Sequence, residues 1–190
     1  KPAVLAFDGD VYDGLQARTL KAADLDWAQQ HLVILSGLYG ALRPLDRMQP
    51  YRLEMGTALR TRRGKDLYAY WGDTVATYLN LRLQDEQAMA PGPDGPVLVN
   101  LASQEYARVA RRPALRPRVV DVVFEDWKDG RFKVISFFAK RARGHMARWA
   151  IEQRVDRVQR LTAFDAAGYA HDAGASDPDR LVFRRRVAAD

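Results

Sequence analysis

Two carboxylates, a phenol and a cation lie within nine positions of one polar segment, at Asp46, Tyr51, Arg52 and Glu54. A carboxyl group acts as a general acid or base when burial raises its pKa towards neutrality, and a phenol can hold a bound substrate by a hydrogen bond. This combination is typical of acid–base chemistry. Asp46, Glu54 and Tyr51 are therefore candidate catalytic residues, together with Asn100 further along the chain.

The same segment is shaped by two glycines and two prolines, Gly37, Gly40, Pro44 and Pro50. Glycine lets a backbone approach a ligand closely, and proline fixes the path of a loop. A restrained polar loop after a buried strand is where α/β proteins usually place a binding site. The segment therefore predicts a binding loop, and a tight connection with only a packing role is the alternative.

A second group is a run of cations in a predicted helix that starts near Ala139. Lys140, Arg141, Arg143 and Arg148 place four positive charges within nine residues. Near a helix N-terminus the dipole disfavours each such charge by about 0.3–1 kcal/mol, and a bound anion relieves that cost. The run indicates phosphate binding. A solvated helix with an ordinary Arg148–Glu152 pair is the alternative.

Asn100 belongs to a third group, because it interrupts the apolar run 97–102, which predicts a buried parallel strand. Ser103, which is predicted to cap a short helix, and Glu105 follow at the carboxyl end, where open sheets bind their ligands. A buried amide needs hydrogen-bond partners. A ligand or a neighbouring loop can supply them, and both interpretations are retained.

The elements that must position these groups follow from the apolar periodicity. Strands are predicted at 2–8, 32–36 and 97–102, helices at 19–30 and 66–83, and a loop at 90–96. Hairpins are predicted from 119–125 with 131–138 around Asp129-Gly130, and over 168–186 with a tip at 173–179. The alternation predicts a single α/β domain over 1–190, with a mixed sheet and surrounding helices.

The composition excludes several kinds of chemistry. The 190 residues contain no cysteine, which rules out disulfides, thiolate catalysis and iron–sulfur clusters within this chain. His31, His145 and His171 are far apart in sequence, so we expect no metal site and no cofactor. No apolar run approaches the ~18 residues of a membrane span, and the cytoplasm is the expected location.

The charge balance points to an anionic partner. The net charge is +6 and the sequence pI is about 9.7, which favours nucleic acid, nucleotide or acidic lipid. The chain begins at Lys1 without a methionine and enters an apolar run at once. We therefore expect an upstream segment that is absent from this sequence.

Seven segments of the chain together resemble the YaaA family of bacterial peroxide-stress-response proteins. They are FDGDVYDGL (7–15), LSGLYG (35–40), LRPLD (42–46), QPYRLEMG (49–56), YWG (70–72), NLASQEY (100–106) and ISFFAKRARG (135–144). Their order and spacing both agree with the family pattern. Members of this family usually carry an additional N-terminal segment.

The resemblance implies a cytoplasmic α/β protein with an unusual, family-specific fold. It implies protection against hydrogen peroxide, a lower level of free intracellular iron, and DNA binding through a basic cleft without sequence specificity, on duplex or distorted duplex DNA. It also implies a helix-hairpin-helix element, whose hairpin would be residues 36–40 between helical flanks. The residues that would contact DNA phosphates are Gly37, Gly40, Arg43, Arg52, Lys140, Arg141, Arg143 and Arg148.

Two other functions are retained beside DNA binding. One is a nucleobase- or nucleotide-processing enzyme such as an N-glycosidase, with Asp46 or Glu54 as the acid–base group and Asn100 and Tyr51 holding the base. The other is an iron-handling or adaptor protein that acts through a partner, because three scattered histidines make the chain a poor iron chelator by itself.

Overall fold

The computed structural model describes residues 1–89 and 95–186, and the proline-rich loop predicted at 90–96 lies largely outside them. The helices are α1 (Ala3–Ala6), α2 (Asp10–Leu15), α3 (Ala22–His31), α4 (Leu67–Trp71), α5 (Thr74–Met89), α6 (Gln104–Ala110) and α7 (Ser136–Glu152). The strands are β1 (Ile34–Ser36), β2 (Gly40–Leu42), β3 (Val97–Asn100), β4 (Arg118–Lys128), β5 (Arg131–Lys133), β6 (Ala170–His171) and β7 (Arg180–Arg185).

The larger sheet is mixed, which confirms the predicted α/β architecture. The long strand β4 runs parallel to β3 on one side and to β7 on the other, while β5 and β6 add antiparallel partners. In this register Asn100 lies opposite Asp121, and Asp126 lies opposite Arg185. Because β4 and β7 run in the same direction, their carboxyl ends meet at one edge of the sheet, close to the start of α7.

Both predicted hairpins are formed. Asp129 and Gly130 have φ angles of +55° and +77°, the left-handed values that a two-residue type I′ turn requires at both central positions. The strand after this turn is shorter than predicted, because the chain leaves the sheet and starts α7 at Ser136. In the tail, β6 and β7 pair antiparallel on either side of the predicted tip.

Two of the predicted elements are wrong. Residues 2–8 do not form a strand, because α1 occupies this run and donates its first free N–H groups, from Ala3 and Val4, to the carbonyls of Asp46 and Pro44 at 2.8 and 3.0 Å. The helix predicted over 66–83 is two helices, α4 and α5. Gly72, with a φ of +51°, ends α4 in a conformation that favours glycine.

Residues 37–39 form the turn of a β-hairpin between β1 and β2, and Ser36 pairs with Gly40, so the helix-hairpin-helix expected around 36–40 is not formed there. Gly40 has a φ of +74°, and a Cβ at this position would lie 2.8 Å from the Trp71 ring. The indole Nε1 of Trp71 donates to the Gly37 carbonyl at 3.0 Å. The strand predicted at 32–36 is confirmed over Ile34–Ser36. The elements on either side of the turn are therefore strands and not helices.

The helices α2 and α7 cross at two glycines that face each other. A Cβ on Gly144 would overlap the Val11 carbonyl and lie 2.7 Å from the backbone nitrogen of Leu15. A Cβ on Gly14 would overlap the Arg141 carbonyl. Because the obstructing atoms are backbone, the two helices can approach this closely only without side chains at both positions.

Candidate functional site

Rings from several motif segments meet around Tyr51. The centroid of its ring lies 6.0 Å from Phe7 and 5.7 Å from Tyr39, both edge-on, and Phe7 stacks on Tyr12 at 5.5 Å. Tyr106 also interacts electrostatically with Tyr51. We call Tyr12, Tyr39, Tyr51 and Tyr106 the tyrosine cluster. It joins segments that are far apart in the sequence.

Burial raises the pKa of both Tyr12 and Tyr106, and the neighbouring Tyr51 adds to both effects. Their phenolate forms are therefore even less accessible than that of an exposed tyrosine, which makes either group a poor general base. Ser36 binds two members of the cluster. It is fully buried, its hydroxyl contacts the Tyr51 hydroxyl, and it accepts the N–H of Tyr39 at 3.0 Å.

Asp46 is engaged within its own loop. Its carboxylate accepts the backbone N–H of Arg43 at 2.8 Å and pairs with the Nε of the same arginine at 3.2 Å. Gln29 reaches the carboxylate at 3.5 Å and accepts the N–H of Leu45 at 2.7 Å. The Asp46 carboxylate thus stabilises the turn at residues 43–46. The side chains of Asp46 and Arg43 are both engaged in these contacts.

Glu54 and Arg52 lie exposed on the segment that follows. Burial is the largest cause of the raised pKa of Tyr106, followed by Tyr51, and the charges of Glu105 and Glu54 add smaller effects. Tyr51 packs within the tyrosine cluster, whereas the Glu54 side chain is exposed three residues further along. Nearby, Glu105 accepts the N–H of Gly56 at 2.7 Å and ties the loop to α6.

The loop glycines have packing roles. A Cβ at Gly37 would overlap the Leu53 carbonyl oxygen, and Gly40 is in contact with the Trp71 indole. Both positions are buried. The structure thus places Gly37 and Gly40 against protein atoms, where their lack of a side chain lets the β-hairpin pack on segment 52–56 and on α4.

Asn100 uses both ends of its amide within the protein. Its Nδ2 donates to Asp121 at 2.7 Å across the parallel pair, and its Oδ1 accepts the N–H of Ala102 at 3.0 Å. The side chain of Asp121 also contacts Arg111. Asn100 was predicted to bond either to a ligand or within the fold, and the structure shows the bonds within the fold. Ser103 caps α6 as predicted.

Two of the four cations on α7 support the fold. The guanidinium of Arg143 donates to the Leu101 carbonyl at 3.4 Å, and burial lowers its pKa. Arg148 donates to the Leu15 carbonyl at 3.2 Å and pairs with Glu152 at 2.8 Å, which confirms the predicted i,i+4 pair. Arg148 thereby holds the end of α2 against α7.

The other two cations are exposed at the start of the helix. Lys140 lies 3.7 Å from Asp10, and Arg141 lies 5.8 Å above the Phe137 ring. Arg141 has no ion pair with an acidic residue in the part of the chain that the structure describes. Burial, and then the charge of Arg141, lower the pKa of His145, so this histidine adds no positive charge near pH 7.

A group of arginines and aromatic rings lies at the carboxyl ends of β4 and β7, and of its members only Arg141 was predicted from the sequence. Guanidinium groups lie over the rings of Trp127 (4.0 Å from Arg186), Phe132 (4.6 Å from Arg184), Phe138 (4.9 Å from Arg185) and Phe137 (5.8 Å from Arg141). We call these eight residues the aromatic–arginine end. The signal was present in the sequence as two phenylalanines before a basic run and three consecutive arginines at 184–186.

The exposure of these rings is unusual for large aromatic side chains. Trp127, Phe137 and Phe138 are 37%, 49% and 38% exposed, respectively. Among the arginines, Arg184 pairs at 2.8 Å with Glu125 and with Asp172. By contrast, Arg141 and Arg186 have no acidic partner among residues 1–89 and 95–186.

Beneath the rings, Asp126 holds Arg185 in place. Asp126 is 1% exposed. Its carboxylate accepts a hydrogen bond from the Nε–H of Arg185 at 2.7 Å and another from the hydroxyl of Tyr169 at 2.7 Å. Arg185 in turn lies 4.3 Å above the Tyr169 ring. This buried network fixes the cation that faces Phe138.

The described residues show neither a metal-binding cluster nor a membrane-spanning helix. No group of three or more histidine, aspartate or glutamate side chains in residues 1–89 and 95–186 is arranged to hold a metal ion. Within the same residues, every helix is too short or too polar to cross a membrane.

The fold and the site together define an α/β protein that presents cations and exposed rings at the carboxyl end of a mixed sheet. The model of the family described as peroxide stress protein YaaA matches residues 1–175, and the chain belongs to this family.

Curated relatives agree with this assignment. The chain is 66% identical over 188 residues to a UPF0246 protein of Leptothrix cholodnii, 64% to one of Ralstonia nicotianae and 63% to one of Bordetella pertussis. In each case the match covers 99% of this chain and 70% of the relative.

Proposed function

We propose that this peroxide-stress protein binds DNA without sequence specificity, in the cytoplasm, and that the aromatic–arginine end is the main contact. The observation that carries the proposal is the pairing of exposed rings with guanidinium groups, two of which, Arg141 and Arg186, have no acidic partner in the described chain. Guanidinium groups match phosphate geometry, and exposed rings stack on bases of any sequence. Duplex DNA with unpaired or distorted positions is therefore the proposed ligand.

The cations proposed from the sequence divide into two sets. Lys140, Arg141 and Arg52 are exposed and are proposed to contact phosphates, although Lys140 also pairs with Asp10 at 3.7 Å. The remaining five residues act by holding the surface in shape: Gly37, Gly40, Arg43, Arg143 and Arg148. Reversing the charge of Arg43, Arg143 or Arg148 would disturb folding as well as binding.

Reversing two unpaired charges tests the proposal. In the double variant Arg141→Glu, Arg186→Glu, we expect DNA affinity to fall roughly tenfold or more near 0.1 M salt, because two phosphate contacts are replaced by repulsion. The slope of log affinity against log salt should become less steep by about 2. Fluorescence anisotropy with a labelled duplex measures both quantities.

The control is a double variant that changes the net charge by the same amount at residues outside the aromatic–arginine end. Arg116 and Arg157 are exposed cations outside the aromatic–arginine end, and Arg116→Glu, Arg157→Glu should leave most of the affinity intact. Equal losses in the two double variants would show that only net charge matters and would refute the proposed contact.

The base-processing alternative is favoured by one observation, the contact of the Tyr51 hydroxyl with the buried Ser36 inside the tyrosine cluster, three residues before the exposed Glu54. Under the DNA-binding proposal we expect neither the parent protein nor Glu54→Gln to release any base. Glu54→Gln should also bind DNA as the parent does, since Glu54 lies outside the aromatic–arginine end.

Chromatography of the products from duplex, single-stranded and bubble DNA checks this expectation. Base release by the parent that disappears in Glu54→Gln would establish the enzyme in place of the simple binder. A Thr57→Ala variant, exposed on the same loop and outside both proposed sites, is the matched control for changes at Glu54.

The lower level of free iron that the family resemblance implies is proposed to be indirect. Support comes from the described residues, in which no cluster of metal ligands is found. An effect on iron would then be exerted through DNA or a partner.

A further inference from the structure

A second concentration of positive charge lies in the turn before α4, which we call the basic turn, residues 60–65. Arg60, Arg62, Arg63 and Lys65 are four cations among its six residues, and all four are exposed. The turn lines a shallow, open hollow of about 460 Å³. Neither the tyrosine cluster nor the aromatic–arginine end includes any of these residues.

The backbone of the basic turn is well defined. Thr61 donates its N–H to the Gly64 carbonyl at 2.8 Å, and Gly64 returns a hydrogen bond to Thr61 at 3.3 Å. The Thr61 hydroxyl accepts the N–H of Arg63 at 3.1 Å. Gly64 has a φ of +157°, and a Cβ there would overlap that of Ala69 on α4. The turn is thereby fixed against the helix that follows.

The charges of the turn are not neutralised within the described chain. None of the four cations forms an ion pair with an acidic residue there, and Arg63 lies 5.1 Å above the Tyr70 ring. The adjacent carboxylate, Asp66, is occupied because it caps α4 by accepting the N–H of Ala69 at 2.8 Å. Like charges held so close repel each other, and an anion docked on the turn would remove this repulsion.

We infer that the basic turn is a second contact for the phosphodiester backbone of duplex DNA, separate from the aromatic–arginine end. This inference rests on the proposed DNA binding. We expect the turn to contact phosphates, because the side chains that it exposes are cations, and Arg63 lies over the neighbouring Tyr70 ring. The charge of three to four free cations complements successive phosphates along one strand.

A triple variant tests the inference without disturbing the turn. Arg60→Gln, Arg62→Gln, Lys65→Gln keeps Arg63 on Tyr70 and keeps the hydrogen bonds of Thr61 and Gly64. We expect the slope of log duplex affinity against log salt to become less steep by about 3, with at least a roughly tenfold loss of affinity near 0.1 M salt. Circular dichroism should show an unchanged fold.

The control removes three exposed cations elsewhere, in Arg18→Gln, Arg116→Gln, Arg157→Gln. A triple variant that matches this control overturns the inference and leaves the proposed function standing. If Arg141→Glu, Arg186→Glu has no effect while the triple variant loses binding, the inference holds and the proposed main contact fails. A parent protein that binds no duplex even at low salt overturns both.

Discussion

Replacing Gly144 by alanine is expected to destabilise the protein by about 1–3 kcal/mol, towards the upper end of the range for overpacked cores. In an exposed helix the same change would stabilise by about 1 kcal/mol, because alanine is the better helix former. Here the new Cβ would overlap the Val11 carbonyl and lie 2.7 Å from the Leu15 nitrogen. These are backbone atoms, so no rotamer change relieves the overlap and α2 must move away from α7.

Urea denaturation followed by circular dichroism measures this effect. A matched control is Gly174→Ala, since a Cβ at Gly174 would meet its nearest atom, a side-chain oxygen of Asp172, only at 3.4 Å. We expect the control to change stability by about 0.5 kcal/mol or less. A Gly144→Ala protein as stable as the parent would contradict the close crossing of the two helices.

The Asp126→Ala variant is expected to lose about 3–5 kcal/mol of stability, the largest effect of any change considered. Asp126 is 1% exposed, and the side chain of its partner Arg185 is only 17% exposed. Removing the carboxylate leaves a largely buried guanidinium without a counter-charge, and the Tyr169 hydroxyl loses its acceptor. For a domain of this size each kcal/mol lowers the melting temperature by about 2–4 °C.

Two further variants separate the causes. Replacing both partners, in Asp126→Leu with Arg185→Met, should recover much of the lost stability, because no uncompensated charge stays buried. Asp156→Ala breaks an ion pair with Arg160 that is exposed on both sides, and should leave the melting temperature close to that of the parent. If Asp126→Ala behaves like Asp156→Ala in calorimetry, the buried network does not contribute as described.

Local patterns predicted much of the fold. The Asp129-Gly130 turn and the helix that carries Lys140 were predicted correctly, because each depends on neighbours in sequence. The strand predicted at 97–102 is formed over Val97–Asn100 and is parallel, but it is half-buried rather than buried. The run at 2–8 was misread as a strand. The four apolar residues of α1, Ala3–Ala6, are too short a run to distinguish a helix from a strand. In the structure the helix is stabilised because the carbonyls of Pro44 and Asp46 accept its first N–H groups.

The candidate site was predicted less completely, because the availability of a side chain depends on what lies beside it. Arg141 and Arg143 are two positions apart on one helix, yet the first is exposed and the second is bonded to the Leu101 carbonyl. Asp46 and Asn100 had the right chemistry for a site, and the fold uses both for its own hydrogen bonds. The basic turn was not predicted, although its four cations lie within six consecutive residues.

By itself the sequence determined the family, the mixed α/β character, the positive charge and the absence of thiol chemistry, since these depend on residue types and on short-range order. Only the tertiary structure decided which charges are free and which glycines are needed for packing. Gly14 meets Gly144, and Arg185 meets Phe138, across distances in sequence that no local pattern spans. Ion pairing, burial and steric overlap arise from atoms brought together by folding, so they could be read only once the helices and the sheet were in place.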